Sequence, residues 1–215
     1  MDRDLTIHAL CTTSIPKVLG MQQWWQMWCR YFQPDECKKI IELGADLAIQ
    51  EGTIGHGGHS NVNKETRRSK VRWFPRGDEK YQWIFRRLDN SFQYANVNAF
   101  NFELTYFREI QFTEYDASYE GKYDWHEDLT WCRTHPTRRK LSICVQLSDP
   151  SDYEGGNLEL DDTQMGGKDQ RPDAEQLRQL GTTMVFPSFL RHRVTPVTSG
   201  KRYSLVSWYE GPPFR

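Results

Sequence analysis

The chain has 215 residues, of which 37% are hydrophobic, and its 28 Lys and Arg nearly balance 29 Asp and Glu. Such a length suits a single domain able to bury a core without disulfide or zinc. The balanced charge speaks against a nucleic-acid binder dominated by phosphate contacts. The 8 Trp, 10 Tyr and 11 Phe point to a core built on large rings. Five cysteines (Cys11, Cys29, Cys37, Cys132, Cys144) are odd in number and form no Cys-x-x-Cys pair, as expected of reduced thiols in a reducing compartment. Acids at Asp2 and Asp4 stand where a signal peptide carries bases, and no apolar run reaches transmembrane length. The expectation is a cytoplasmic protein that does not engage a membrane.

Residues 1–20 show no period and read as an N-terminal arm. The remainder, 21–215, reads as one domain, with helical support over about 21–98 and a β core over about 99–215. In "MQQWWQMWCRYF" the recurrence of Trp24, Met27, Trp28 and Tyr31 predicts a helix packed on the core. "PDECKKIIELGADLAI" predicts a second helix. Pro34 suits its first position, acids fill its first turn, and Cys37, Ile40, Ile41, Gly44 and Ala48 share a face. "EKYQWIFRRLDNSF" predicts a third, with Tyr81, Ile84, Phe85, Leu88 and Phe92 aligned.

From about residue 100 the period becomes two. "FELTYFREIQFTEY", "KYDWHEDL", "KLSICVQLSD", "GNLELDD", "TTMVFPS", "HRVTPVT" and "RYSLVSWYE" read as short strands separated by turn residues. Their number and shortness favour a sandwich or jelly roll over a parallel sheet. The polar segment 161–180 reads as a surface insertion with a turn or two of helix.

"YDWHED" places His126 and Asp128 on one strand face. A third ligand is needed to close a metal site. His8 lies in the arm, His56 and His59 in a glycine-rich stretch best read as solvated loop, and His135 in a loop. His192 opens a late strand, where a jelly roll can return the chain beside an earlier one. Two imidazoles and one carboxylate make the facial triad of non-haem Fe(II) oxygenases, whereas a structural zinc site prefers cysteines. A cosubstrate such as 2-oxoglutarate then needs a cation for its distal carboxylate. Arg202 fits, because alternation in "RYSLVSWYE" puts it with Ser204, Val206 and Trp208 on one face.

"YDWHED", "EGGNLEL" and "MVFPSFLRHRVTPVTSGKRYSLVSWYEG" together resemble the iron- and 2-oxoglutarate-dependent dioxygenases, in their prolyl 4-hydroxylase-like branch. The resemblance covers residues 100–212 well and the N-terminal helices loosely. It implies a mainly β fold with N-terminal helices and a double-stranded β-helix (jelly-roll) core. It implies Fe(II) on His126, Asp128 and His192, and 2-oxoglutarate on Arg202, with Tyr115 and Ser204 beside it. O2 is the oxidant, ascorbate the expected reductant, and succinate and CO2 the coproducts. Arg67 and Ser69 in "TRRSKVRW", with Tyr123, Arg139 and Trp208, match the side that faces a peptide. Glu210 departs from the family's peptide-contacting histidine. Asp128 favours hydroxylation over halogenation, since related halogenases lack the carboxylate.

The expected reaction is 4-hydroxylation of peptidyl proline. Hydroxylation of a free amino acid or small metabolite is the alternative within the class. A nucleic-acid demethylase is disfavoured, because Trp208 fills the place of that branch's second arginine. A β-helix that only binds a ligand or partner is the reading outside catalysis.

Overall fold

The computed structural model describes residues 23–54, 61–129, 136–167 and 170–214. The chain runs β1 (Gln26–Trp28), α1 (Pro34–Ala45), β2 (Gln50–Glu51), β3 (Arg67–Arg68), β4 (Lys70–Phe74) and α2 (Gln82–Ala95). There follow β5 (Tyr106–Asp116), β6 (Lys122–His126), β7 (Arg138–Gln146), β8 (Tyr153–Gly155), β9 (Leu158–Leu160), α3 (Ala174–Arg178), β10 (Thr183–Pro187), β11 (His192–Val194) and β12 (Val197–Gly211). An eight-stranded antiparallel sheet has the order β1-β10-β7-β12-β5-β4-β2, with β8 also on β12. A four-stranded sheet has the order β3-β6-β11-β9. This is the expected jelly roll.

Alternation divides the large sheet into two unlike faces. Ile110 and Phe112 of β5, Leu141, Ile143 and Val145 of β7, and Leu205 of β12 form one core cluster. Cys37 and Ile40 of α1 and Ile84, Phe85, Leu88 and Phe92 of α2 complete it, so both helices cover this outer face. Gly44 of α1 allows close approach, because a Cβ there would lie 2.8 Å from the Phe112 ring. The opposite face is buried yet polar, carrying Gln111, Thr113, Tyr115, Ser142, Gln146, Arg202 and Ser204. A buried polar wall is costly unless something binds it, and this wall faces the small sheet.

The second and third helices form as expected. Pro34 stands in the first turn of α1, and Glu36 accepts a 2.8 Å bond from the Gln33 amide. Ala48 lies past the end of α1 and is exposed.

The first expected helix is instead a strand. Gln26, Met27 and Trp28 pair with Val185, Met184 and Thr183 on the edge of the large sheet. Met27 joins the cluster of Met184 and Phe186, while Trp28 packs on the helical side. An open sheet edge with apolar surface on both sides outweighs helical spacing in so short an aromatic run. The helical half also supplies β2, β3 and β4, so it is not purely helical.

Segment 161–180 is docked rather than a free surface insertion. Met165 is buried, Leu177 packs on the same cluster as Met27, and Arg178 reaches into the β8–β9 turn. Among the described residues no helix is long and apolar enough to cross a membrane. The N-terminal arm lies outside the described residues, as do His8, His56, His59, His135, Cys11 and Cys132.

Candidate active site

β6 and β11 are neighbours in the small sheet, and their register sets His192 directly opposite His126. The two ring centroids are 4.1 Å apart. His126 Nδ1 lies 2.8 Å from the Asp124 carbonyl and His192 Nδ1 lies 2.9 Å from the Leu190 carbonyl. A carbonyl only accepts, so each Nδ1 carries a proton and Nε2 is the nitrogen of each ring turned to the site.

Asp128 follows β6 and turns into the same space. Its Oδ1 is 3.9 Å from His126 Nε2, and its Oδ2 is 3.5 Å from His192 Nε2. One ligand atom from each of the three residues lies within 4.8 Å of the others, a grouping that could hold a metal ion. The Asp128 and Leu129 amides both donate to the Ser188 carbonyl, at 2.9 and 3.0 Å. The Ser142 hydroxyl donates to Asp128 Oδ2 at 2.7 Å and lies 2.9 Å from the Ser188 hydroxyl. Ser142 has one proton and spends it on a carboxylate, so Ser188 donates to Ser142.

Burial, reinforced by His192, pulls His126 down to about 3 against the attraction of Asp128. The imidazole is therefore neutral at physiological pH. Burial pushes the Asp128 carboxyl up, but His192, His126, Arg139 and the Ser142 hydroxyl outweigh it and hold the group below the ordinary range. Two imidazoles and an ionised carboxylate on one side of a space, with no thiolate among the three, suit Fe(II) with open positions.

The facing wall carries Arg202, which is 2% exposed and opposite Tyr115 in the β12–β5 register. Its guanidinium lies 5.6 Å from the Tyr115 ring centroid. Its Nε donates to Gln146 Oε1 at 3.0 Å, and its Nη2 lies 4.0 Å from Cys144 Sγ. Its Nη1 is buried and has no hydrogen-bond partner among the described residues. A buried cationic donor left open costs a few kcal/mol, and a carboxylate oxygen would satisfy it. Ser204 is buried on the same face. These residues fit both the metal and a dicarboxylate.

The residues expected on the substrate side also gather here. Arg67 Nε donates to Ser69 Oγ at 2.8 Å, and its Nη1 donates to the Thr53 carbonyl at 3.0 Å. The Arg67 guanidinium lies 4.5 Å over the Tyr123 ring, which stacks on His126 with centroids 3.5 Å apart. Arg139 lies 3.7 Å over the Trp208 ring, whose buried Nε1 has no partner among the described residues. Glu210 is buried and accepts from Thr137 Oγ1 at 2.5 Å. Arg138 and Lys140, on either side of Arg139, are buried.

Residues 110–210 match the 2OG-Fe(II) oxygenase superfamily. The matched residues, just under half of the chain, read as a 2OG-Fe(II) oxygenase domain. The chain is 26% identical over 181 residues to a PKHD-type hydroxylase of Synechococcus sp. (strain JA-2-3B'a(2-13)), covering 81% of the chain and 73% of the relative. It is 42% identical over 88 residues to a PKHD-type hydroxylase of Synechococcus sp. (strain CC9605), covering 41% of the chain and 36% of that relative. Two solved prolyl hydroxylases share its fold at 17% identity. The viral collagen prolyl hydroxylase of Paramecium Bursaria Chlorella virus-1 gives a TM-score of 0.63, over 88% of this chain and 97% of that one. The Trichoplax adhaerens prolyl hydroxylase, solved with a hypoxia inducible factor peptide, gives 0.66, over 87% and 83%. The family match supports a 2-oxoglutarate-dependent dioxygenase.

Sequence reasoning missed Ser142, Ser188 and Gln146, which hold Asp128 and Arg202. A signal existed in "KLSICVQLSD", where alternation sets Ser142, Cys144 and Gln146 on the face opposite Leu141, Ile143 and Val145.

Proposed function

We propose that His126, Asp128 and His192 bind one Fe(II), and that Arg202 with Tyr115 and Ser204 binds the distal carboxylate of 2-oxoglutarate. The substrate is a prolyl residue within an extended peptide or protein segment, hydroxylated at C4. One observation carries this reading: three candidate metal-ligand atoms converge opposite a buried guanidinium whose Nη1 has no partner among the described residues.

Bound Fe(II), 2-oxoglutarate and O2 supply the oxidation, which yields succinate, CO2 and a hydroxylated C–H position. The chain's residues prepare for it. The Asp124 and Leu190 carbonyls fix the tautomers that present Nε2. Ser142 steers one oxygen of Asp128 and leaves the other free. Arg202 neutralises a carboxylate in a wall too buried for water to do so. The Trp208 ring offers a flat apolar wall for a pyrrolidine, and a polyproline-like segment loses little entropy on docking beside it. The Arg67 and Arg139 guanidinium groups supply donors for backbone carbonyls on either side. Ascorbate is the proposed reductant, and the reducing cytoplasm the proposed setting. Residues 21–215 act as one catalytic domain, with 1–20 as an arm.

Proline-rich peptides incubated with Fe(II), ascorbate and 2-oxoglutarate gain one oxygen on proline by mass spectrometry, with equimolar succinate. Succinate release with oxidation of a free amino acid instead would replace the substrate and keep the chemistry. No 2-oxoglutarate turnover with any of these substrates would remove the catalytic reading.

A further inference from the structure

Segment 161–180 contributes one side chain that the chemistry above leaves unused. Arg178, at the end of α3, sends four hydrogen bonds into the β8–β9 region. Its Nη1 donates to the Gly155 carbonyl at 2.7 Å and to Asn157 Oδ1 at 2.6 Å. Its Nη2 donates to the Tyr153 carbonyl at 3.0 Å and the Pro150 carbonyl at 3.4 Å. Its guanidinium also lies 4.2 Å over the Tyr153 ring. So many bonds from one fork lock the turn that they reach.

That turn touches Arg202 by two routes. The first is a chain of hydrogen bonds. Gln146 Nε2 donates to the Tyr153 hydroxyl at 2.9 Å and to the Ser148 carbonyl at 3.2 Å, which orients the amide. Gln146 Oε1 then accepts from Arg202 Nε at 3.0 Å. The second route is contact. Gly156 has φ +59°, and a Cβ there would lie 3.0 Å from Arg202 Cδ, so the backbone rests against the arginine stem. A cavity of about 70 Å³ remains among Arg202, Gln146, Tyr153, Gly156, Leu177 and Arg178. Without the clamp, the guanidinium has space to swing toward α3.

We propose that Arg178 is a positioning residue for Arg202. It acts through Tyr153, Gln146 and the Gly155–Gly156 turn to fix where the distal carboxylate of the 2-oxo acid binds. The inference rests on the reading of Arg202 as the carboxylate anchor. It gives the 161–180 segment a role in cosubstrate binding.

The test is equilibrium binding to the Mn(II)-loaded protein by calorimetry, with 2-oxoglutarate and oxalate as probes. Oxalate chelates a metal but has no distal carboxylate to reach Arg202. Arg178→Ala is expected to weaken 2-oxoglutarate by about five- to tenfold, the scale of one lost orienting bond, with oxalate and Mn(II) binding unchanged. Tyr153→Phe, which removes only a hydroxyl, weakens 2-oxoglutarate by a few-fold in the same selective way. It decides the matter if Arg178→Ala does not fold. Equal weakening of both probes, or of neither, overturns the proposal. Arg202→Gln separates the two levels. If it spares 2-oxoglutarate, the anchor reading and this inference both fall. If it alone weakens 2-oxoglutarate, only the role of Arg178 falls.

Discussion

Replacing Ser142 by alanine removes a single oxygen from the bottom of the site. That oxygen is fully buried and donates to Asp128 Oδ2 at 2.7 Å, a hydrogen bond to a charged acceptor. Such bonds contribute about 1.5–3 kcal/mol. The hydroxyl behind it, on Ser188, reaches Ser142 rather than the carboxylate. Asp128 therefore loses its steering partner. At roughly 1.4 kcal/mol per decade, the expected weakening of metal binding is about 10- to 100-fold, the usual effect of removing a partner of a ligating side chain. Ser188→Ala, one step further out, weakens it less. The assay is an anaerobic Mn(II) titration followed by the signal of the free ion, with thermal unfolding as control. Unchanged Mn(II) affinity in a folded Ser142→Ala protein would refute the view that Asp128 is held ready for a metal.

Three further outcomes follow from the same geometry. His126 is held at about 3 when folded, below its unfolded value of roughly 6.5. As pH falls, the unfolded chain therefore takes up the proton first. Metal-free protein keeps its full stability above that unfolded value and loses it progressively toward pH 3, and His126→Asn flattens the decline in a thermal-melt series. Asp128, held below its ordinary range, adds a loss of the same sign at the acid end. Gly156→Ala meets both a positive φ and the Arg202 stem. Denaturant unfolding should show a loss of about 1–3 kcal/mol, accompanied by weaker 2-oxoglutarate binding. The Cys37 thiol is pushed up to about 12 by burial, then by Glu36 and Asp35. Alkylation followed by mass spectrometry should leave it unlabelled in native protein and labelled after denaturation.

The strands of the β core were readable because large apolar residues alternate with polar ones along β5, β7 and β12. α1 was readable from Pro34 and its acidic first turn. β1 was not, since Trp24, Met27, Trp28 and Tyr31 satisfy a helical period as well, and only the free edge of β10 decides between them. β4 was hidden because one of its buried side chains is Arg72, whose charge is matched by Glu114 on the neighbouring strand at 3.2 Å. The candidate metal-ligand residues and Arg202 announce themselves by type and order along the chain. Their supports do not. Ser142 reaches Asp128 only because Asp128 turns in beneath β7, and Gln146 reaches Arg202 only because the register sets Gln146 opposite Ser204. Serine and glutamine carry no sign of such duty in one dimension.

The most direct test of the central claim is a crystal structure of the protein grown anaerobically with Mn(II) and 2-oxoglutarate. One ion should be bound by His126 Nε2, His192 Nε2 and an Asp128 oxygen, with the distal carboxylate on Arg202 Nη1. An ion bound elsewhere, or a distal carboxylate resting on Arg67 or Arg139 instead, would contradict it.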